Sequence, residues 1–125
     1  MSKVLDNLSY TKTHEWVKVE NDIALVGITD YAQDSLGSIV YLELGSVGDN
    51  VNQFDEIGTI ESVKAAGEIN APVSGEIVEV NEDVVDNPEK INENPYENWL
   101  LKIKLSDENE LKNLLRAEEY KSEIE

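Results

Sequence analysis

Residues 58–75 read GTIESVKAAGEINAPVSG and fit an antiparallel β-hairpin in one register. With Val63 and Lys64 as the two central turn residues, alternation of side chains sorts the hairpin into an apolar face and a polar face. The inner face carries Gly58, Ile60, Gly67 and Ile69, and the outer face carries Thr59, Glu61, Ala66 and Glu68. A slip by one residue would mix the two sets. We therefore predict a hairpin with Lys64 at its tip.

The predicted turn is an unusual one for a hairpin. Two-residue turns favour glycine or asparagine, and the β-branched Val63 resists a positive φ. Departures from local rules tend to occur at functional sites, so the turn points weakly to Lys64. Taken alone, however, a lysine at a loop tip is usually a solvated charge.

The rest of the chain predicts a mainly β fold. Short apolar runs separated by turn residues are typical of a β-sandwich or flattened barrel. The predicted strands are residues 16–20, 23–28, 38–44, 76–80 and 99–105. In residues 38–44, alternation places Val40, Leu42 and Leu44 on one face.

Helices are predicted at two places in the chain. A short helix over residues 30–36 would begin after an N-cap at Thr29 and end at Gly37. Residues 81–98 lack any sustained period and read as an acidic loop. From Asp107 onward, a capping-box pattern with Glu110 and an apolar stripe predict C-terminal helices over about 107–125.

Composition excludes several classes of function. The 125 residues include no cysteine and one histidine, so thiolate sites and histidine clusters are excluded, and we expect no metal. A formal net charge of −17 disfavours nucleic acid and acidic membrane surfaces as partners. It favours docking to basic patches on other proteins. The length fits a single domain over residues 1–125.

Several motifs, taken in order, resemble the glycine cleavage system H protein family. Around the lysine, Glu61 to Ala65 and then Asn70 to Gly75 are similar to the lipoylation site of that family. The resemblance extends to YTKTHEWV at 10–17, GITDYAQ at 27–33, VYLEL at 40–44, NPY at 94–96 and WL at 99–100. It runs over roughly residues 10–120.

The resemblance implies a fold and a set of site residues. The fold would be the barrel-sandwich hybrid of lipoyl and biotinyl carriers, with the lysine hairpin protruding. Lipoate would be held in amide linkage on Lys64, with Glu61, Val63 and Ala65 recognised by the modifying enzyme. A cleft that shelters the arm would be lined by Glu15, Ile28, Ala32, Leu36 and Glu68.

The resemblance also implies partners. The chain would be a carrier without a catalytic residue of its own. It would take an aminomethyl group from a PLP-dependent glycine decarboxylase to a tetrahydrofolate-dependent aminomethyltransferase, and dihydrolipoyl dehydrogenase would reoxidise its arm. A lipoate ligase or a lipoyl/octanoyl transferase would modify it. No signal peptide or membrane span is evident, so we expect a bacterial cytoplasmic protein, with a mature organellar chain as the alternative.

Other functions stay open at this point. The same lysine would serve a lipoyl relay protein that hands its lipoyl group to other lipoyl domains. Different classes are a plain acidic interaction module, a metal-binding protein built on the acids and a two-carboxylate hydrolase. The acids show no EF-hand spacing and no marked pair, which makes the last two the weakest.

Overall fold

The computed structural model describes residues 2–125. Within that range, ten strands form two antiparallel sheets. The strands are β1 Ser9–Tyr10, β2 Glu15–Glu20, β3 Ile23–Ile28, β4 Ile39–Leu44, β5 Asn50–Val51, β6 Glu56–Ser62, β7 Ala66–Asn70, β8 Gly75–Val80, β9 Leu101–Leu105 and β10 Leu115–Arg116. The helices are α1 Asp30–Leu36, α2 Glu82–Asp86, α3 Lys90–Glu93, a 3₁₀ helix at Glu108–Asn113 and α4 Ala117–Ile124. The prediction of a mainly β chain with a helix at 30–36 and helices near the C-terminus is confirmed.

The two sheets enclose one main hydrophobic core. The larger sheet has the strand order β10-β1-β2-β3-β9-β8-β5, and the smaller has the order β4-β6-β7. The core takes side chains from both sheets, among them Val17, Val26, Ile77, Ile103, Ile39, Leu42, Ile60 and Ile69. Burial of each of these side chains contributes about 1.5–3 kcal/mol to the free energy of folding. The smaller sheet is therefore held against the larger one mainly by the apolar side chains of its inner face.

Strands β6 and β7 form the predicted hairpin in the predicted register. Cα partners run from Gly58↔Ile69 to Glu61↔Ala66. The turn closes through the amide of Ser62, which donates to the carbonyl of Ala65 at 2.7 Å. Ile60 and Ile69 are buried, so the apolar face points into the core as the alternation requires.

Strand β4 departs from regular alternation. Ile39 pairs with Ser62 and Tyr41 with Glu61, so Val40 is an extra residue in a β-bulge. The bulge reverses the prediction at this point: Ile39 and Leu42 are buried, and Val40 is exposed. The two-residue alternation of side chains along a strand cannot reveal a bulge, because the inserted residue shifts that alternation by one place.

Helix α1 has the predicted ends. The Thr29 hydroxyl accepts from the amide of Ala32 at 3.2 Å, and Gly37 ends the helix with φ +78°. Asn92 braces this end, since its side-chain oxygen accepts from the amide of Ile39 and its side-chain nitrogen donates to the carbonyl of Gly37. A helix of seven residues needs such tertiary support.

Residues 81–98 are not a plain loop, which corrects the prediction for this stretch. They hold α2 and α3, whose single buried side chains, Val84 and Ile91, join the main core. Helices this short show no periodicity in sequence because each buries about one residue. Their acids remain on the solvent side.

The C-terminal stretch is less helical than its sequence pattern predicts. The 3₁₀ helix is followed by β10, which pairs with β1, and only then by α4. Glu110 does not close a capping box, because its carboxylate accepts from the amide and the hydroxyl of Ser74. Tyr120 of α4 is buried and stacks on Tyr10, with ring centroids 4.5 Å apart.

Candidate functional site

The tip of the hairpin presents Lys64 to solvent on a main-chain framework. Both Val63 and Lys64 are exposed. The amide of Val63 donates to the carbonyl of Ser38 at 3.0 Å, which ties the tip to the chain just before β4. The Ser62 hydroxyl accepts from the amides of Lys64 and Ala65, at 3.2 and 3.0 Å. The serine therefore supplies the turn chemistry that Val-Lys lacks.

The Lys64 side chain lies over the end of α1. A Cβ placed on Gly37 would be 3.4 Å from Lys64 Cε and 3.9 Å from its Nζ. The amine forms no ion pair within residues 2–125. It is therefore an exposed amine, and the far end of its side chain lies beside the last turn of α1.

A cavity of about 190 Å³ opens beside this turn, between α1 and the inner edge of the hairpin. All five residues predicted for the cleft contribute to its wall, namely Glu15, Ile28, Ala32, Leu36 and Glu68. Seven residues that the sequence did not single out for it complete the wall: Thr13, His14, Tyr31, Ser35, Ile60, Gly67 and Ile69. Three of these seven, Ile60, Gly67 and Ile69, lie on the predicted inner face of the hairpin. That alternation is the sequence signal by which they could have been assigned to the cleft.

Glu15 is the buried acid of this cleft, with 1% of its surface exposed. Its Oε1 accepts from the hydroxyls of Thr11 and Thr13, each at 2.5 Å. Its Oε2 accepts from the amide of Asn70 at 3.1 Å. Burial raises the pKa of this carboxyl, and the three donors offset only part of the effect. A carboxylate offers about four acceptor positions, so one on Oε2 remains open.

The other acid, Glu68, lies on the exposed face of β7 at the rim of the cleft. The two acids therefore differ in environment: one is deep and hydrogen-bonded, and the other is in water. Because solvent screens Glu68, Glu15 has the stronger field inside the cavity.

His14 joins the cleft to the C-terminal helix. Its Nδ1 is hydrogen-bonded to the Tyr120 hydroxyl at 2.9 Å, and that hydroxyl is hydrogen-bonded to Thr29 Oγ1 at 2.6 Å. Burial lowers the pKa of His14, which favours the neutral imidazole. The residue has a φ of +72° and packs against Tyr31. These contacts support a structural role for His14.

We expect Glu15→Gln to change how stability depends on pH. The pKa of Glu15 is raised in the folded chain, so the unfolded chain ionises first, near 4.5. The contribution of Glu15 to the free energy of unfolding is therefore fully present below that pH. It is lost as the pH rises through the pKa that Glu15 has in the folded state. The glutamine variant lacks this loss, so its stability relative to wild type should rise as the pH increases, on top of a constant offset from the lost acceptor oxygen.

Urea unfolding of both proteins at several pH values between 4 and 8 measures this difference. The other titrating groups are common to both proteins and cancel in it. Two curves that stay parallel over the whole range would contradict a raised pKa at Glu15.

Residues 2–125 lack two other kinds of functional feature. No group of three histidine, cysteine, aspartate or glutamate side chains is placed to bind a metal ion. No helix there is long and apolar enough to cross a membrane.

Comparison with known proteins gives concordant results. The sequence model of the family described as "Glycine cleavage H-protein" matches residues 8–125. The glycine cleavage system H protein of Carboxydothermus hydrogenoformans is 49% identical over 126 residues, covering 100% of this chain and 97% of that protein. The protein of the same name from Alcanivorax borkumensis is 52% identical over 126 residues, covering 100% and 98%.

A solved structure agrees. The crystal structure of a glycine cleavage system H protein from Mycobacterium marinum superposes with a TM-score of 0.88 at 35% identity, covering 97% of this chain and 98% of that one. The predicted lipoyl-carrier type of fold is confirmed by this likeness. On sequence and on structure alike, the chain belongs to the glycine cleavage H-protein family.

Proposed function

We propose that this chain carries lipoate in amide linkage on Lys64 and shuttles an aminomethyl group within the glycine cleavage system. The observation that carries the proposal is the exposed amine at the hairpin tip, beside a small cleft that contains a buried carboxylate. Family membership makes the chain a carrier subunit of that system. Lys64 and the cleft residues are our assignment.

The residues at the tip fit a covalently attached arm. Lys64 Nζ forms no ion pair with any of residues 2–125, and its neighbours Val63 and Ala65 are exposed. Attachment forms an amide between Nζ and the carbonyl carbon of an activated lipoyl donor, whose leaving group departs as the ammonium gives up two protons. When bound, the lipoyl group supplies the redox-active sulfur that a chain without cysteine lacks.

The cleft fits an apolar arm that ends in a cationic amine. Ile28, Ala32 and Leu36 provide an apolar wall, which excludes water from the end of the arm. The open acceptor position on Glu15 Oε2 would take a hydrogen bond from an ammonium group. Such a cation would also offset the cost of burying the carboxylate. Glu68 at the rim adds negative charge along the path to the cleft.

The partners follow from this role. A PLP-dependent glycine decarboxylase would supply the aminomethyl cargo, a tetrahydrofolate-dependent aminomethyltransferase would remove it, and dihydrolipoyl dehydrogenase would restore the disulfide. A lipoate ligase or a lipoyl/octanoyl transferase would modify Lys64, reading Glu61, Val63 and Ala65 at the tip. The relatives reported above are bacterial, which supports the bacterial cytoplasm as the location.

Intact mass measurement tests the attachment site. The chain is co-expressed with a lipoate ligase and lipoate, as wild type, as Lys64→Arg and as Lys12→Arg, a matched change at another exposed lysine. We expect one lipoyl increment on wild type and on Lys12→Arg, and none on Lys64→Arg, because arginine offers no acylable amine. Peptide mapping should place the increment on Lys64.

Two results would count against the proposal. An unmodified wild type, with a ligase shown to be active on a control domain, would refute attachment at the tip. Transfer of the lipoyl group from the modified chain to an acceptor lipoyl domain, without aminomethyl loading by the decarboxylase, would indicate a relay instead.

A further inference from the structure

Three exposed apolar side chains lie together beside Lys64. Val63, Val40 and Tyr41 expose 73%, 57% and 44% of their surface. Val40 and Tyr41 come from β4, whereas Val63 comes from the hairpin tip. Exposed apolar side chains that occur together, rather than singly, mark surfaces that contact other proteins.

Main-chain pairing shows that the three belong to one surface. The amide of Val63 donates to the carbonyl of Ser38, two residues before Val40. Tyr41 pairs with Glu61, three residues before Lys64. The patch is therefore continuous with the lysine tip. We call Val40, Tyr41 and Val63 the tip-side patch.

The β-bulge is the reason that Val40 faces outward. In regular pairing Val40 would share the buried face with Leu42, and the inserted residue turns it to solvent instead. Bulges are frequent beside functional sites, where they re-aim a side chain. β4 is also an outer strand of the smaller sheet, where Val40 and Tyr41 line an open groove shared with Val85 of α2.

Acidic groups flank the tip-side patch. Glu43 and Glu61 are exposed on the same face as Tyr41, and the Tyr41 hydroxyl donates to Glu43 Oε2 at 3.0 Å. The chain as a whole carries a net charge of −17. A partner that covers the patch therefore needs an apolar contact ringed by lysine or arginine side chains.

We propose that the tip-side patch is the docking surface for the enzyme that acylates Lys64. This inference rests on the proposed attachment of lipoate at Lys64. The acylating enzyme must bring an activated carbonyl within bonding distance of Nζ, so its surface covers the residues around the tip. Enzymes that act on the lipoylated arm react with its far end, so they need not approach Nζ as closely. The patch thus extends recognition from the tip residues to β4.

The test is a steady-state acylation assay with lipoate, ATP and a lipoate ligase. The double variant Val40→Ser, Tyr41→Ser is compared with wild type and with Phe54→Ser. Phe54 is also an exposed apolar residue, but its amide donates to Ala71, beyond the end of β7 farthest from the tip. We expect at least a tenfold lower kcat/KM for the double variant, mainly through KM, and no change for Phe54→Ser.

The end point of the same assay separates this inference from the proposed function. Complete modification of the double variant at long times, with a raised KM, supports both. Absence of modification on wild type refutes the attachment at Lys64. Equal kcat/KM for all three chains refutes the docking surface and leaves the attachment intact. Thermal unfolding of each chain checks that the substitutions leave the fold unchanged.

A charge reversal tests the chemistry assigned to the partner. Glu43→Lys should raise KM for acylation by about fivefold or more, because it places a cation against the partner's basic ring. Glu76→Lys is the matched control, since Glu76 is an exposed acid on β8 of the larger sheet. An equal increase in KM for the two charge reversals would attribute the effect to net charge. It would contradict a ring of basic side chains on the partner around the tip-side patch.

Discussion

Gly67→Leu should remove the shelter of the arm while leaving its attachment intact. A Cβ on Gly67 would lie 3.6 Å from Ile60 and 4.0 Å from Leu36, and both of these residues line the cleft. Those are ordinary contacts, so the backbone accepts a side chain, but the four carbons of leucine would fill much of a cavity of about 190 Å³. The arm would then stay in water. Burying even two methylenes contributes about 1.6 kcal/mol, which corresponds to roughly fifteenfold protection.

The measurement is the rate at which the loaded carrier, freed from its enzymes, releases ammonia. Water attack on an aminomethyl thioether yields ammonia, formaldehyde and the free thiol, so ammonia reports loss of the cargo. Gly67→Ala is the matched control, because a single methyl leaves most of the cavity open. Both variants should reach full lipoylation by intact mass. A release rate for Gly67→Leu equal to that of wild type would exclude this cavity as the shelter.

Gly75→Ala should strongly destabilise the folded protein. A Cβ on Gly75 would lie 1.9 Å from the carbonyl oxygen of Lys104 and 2.8 Å from Ile103 Cγ2. Gly75 pairs with Val51 on one side and Leu105 on the other, so neither neighbour can withdraw without breaking sheet hydrogen bonds. We expect a loss of about 4 kcal/mol or more, a large fraction of the 5–15 kcal/mol typical of a domain.

Urea unfolding of Gly75→Ala and Gly48→Ala distinguishes a steric clash of the new Cβ from the strain of a positive φ at a non-glycine residue. Gly48 also has a positive φ, +99°, but a Cβ there meets no atom of the described part of the chain within 4 Å. Its alanine variant should lose about 1–2 kcal/mol through strain alone. Similar losses in the two variants would mean that β8 and β9 can separate at Gly75, which would contradict the tight pairing.

The hairpin and α1 could be predicted from sequence because their signals are local. Alternation over ten residues specifies one register between β6 and β7, and a slip would expose Ile60 and Ile69. Thr29 marks the start of α1 through its side-chain hydroxyl, and Gly37 marks the end through its positive φ. The five predicted cleft residues came from the family resemblance, and the structure places all of them around one cavity.

The features that escaped prediction depend on contacts between distant segments. The bulge at Val40 is visible only against β6, and α2 and α3 are held by one buried side chain each. Thr11 and Thr13 hold the Glu15 carboxylate, and their spacing alone does not show that their hydroxyls point inward. The amide of Asn70 completes that set from another sheet, which no pattern along the chain can reveal.

The way in which the hairpin tip is anchored bears on how this surface can evolve. The bonds that hold the turn involve peptide groups and one serine hydroxyl, and every residue except proline supplies the amide that position 63 needs. Substitutions at 63 and 65 can therefore accumulate over generations without moving the amine of Lys64. The side chains beside the lysine are thus free to change together with those of the modifying enzyme. In related lineages we expect these two positions to vary, while Ser62 is retained.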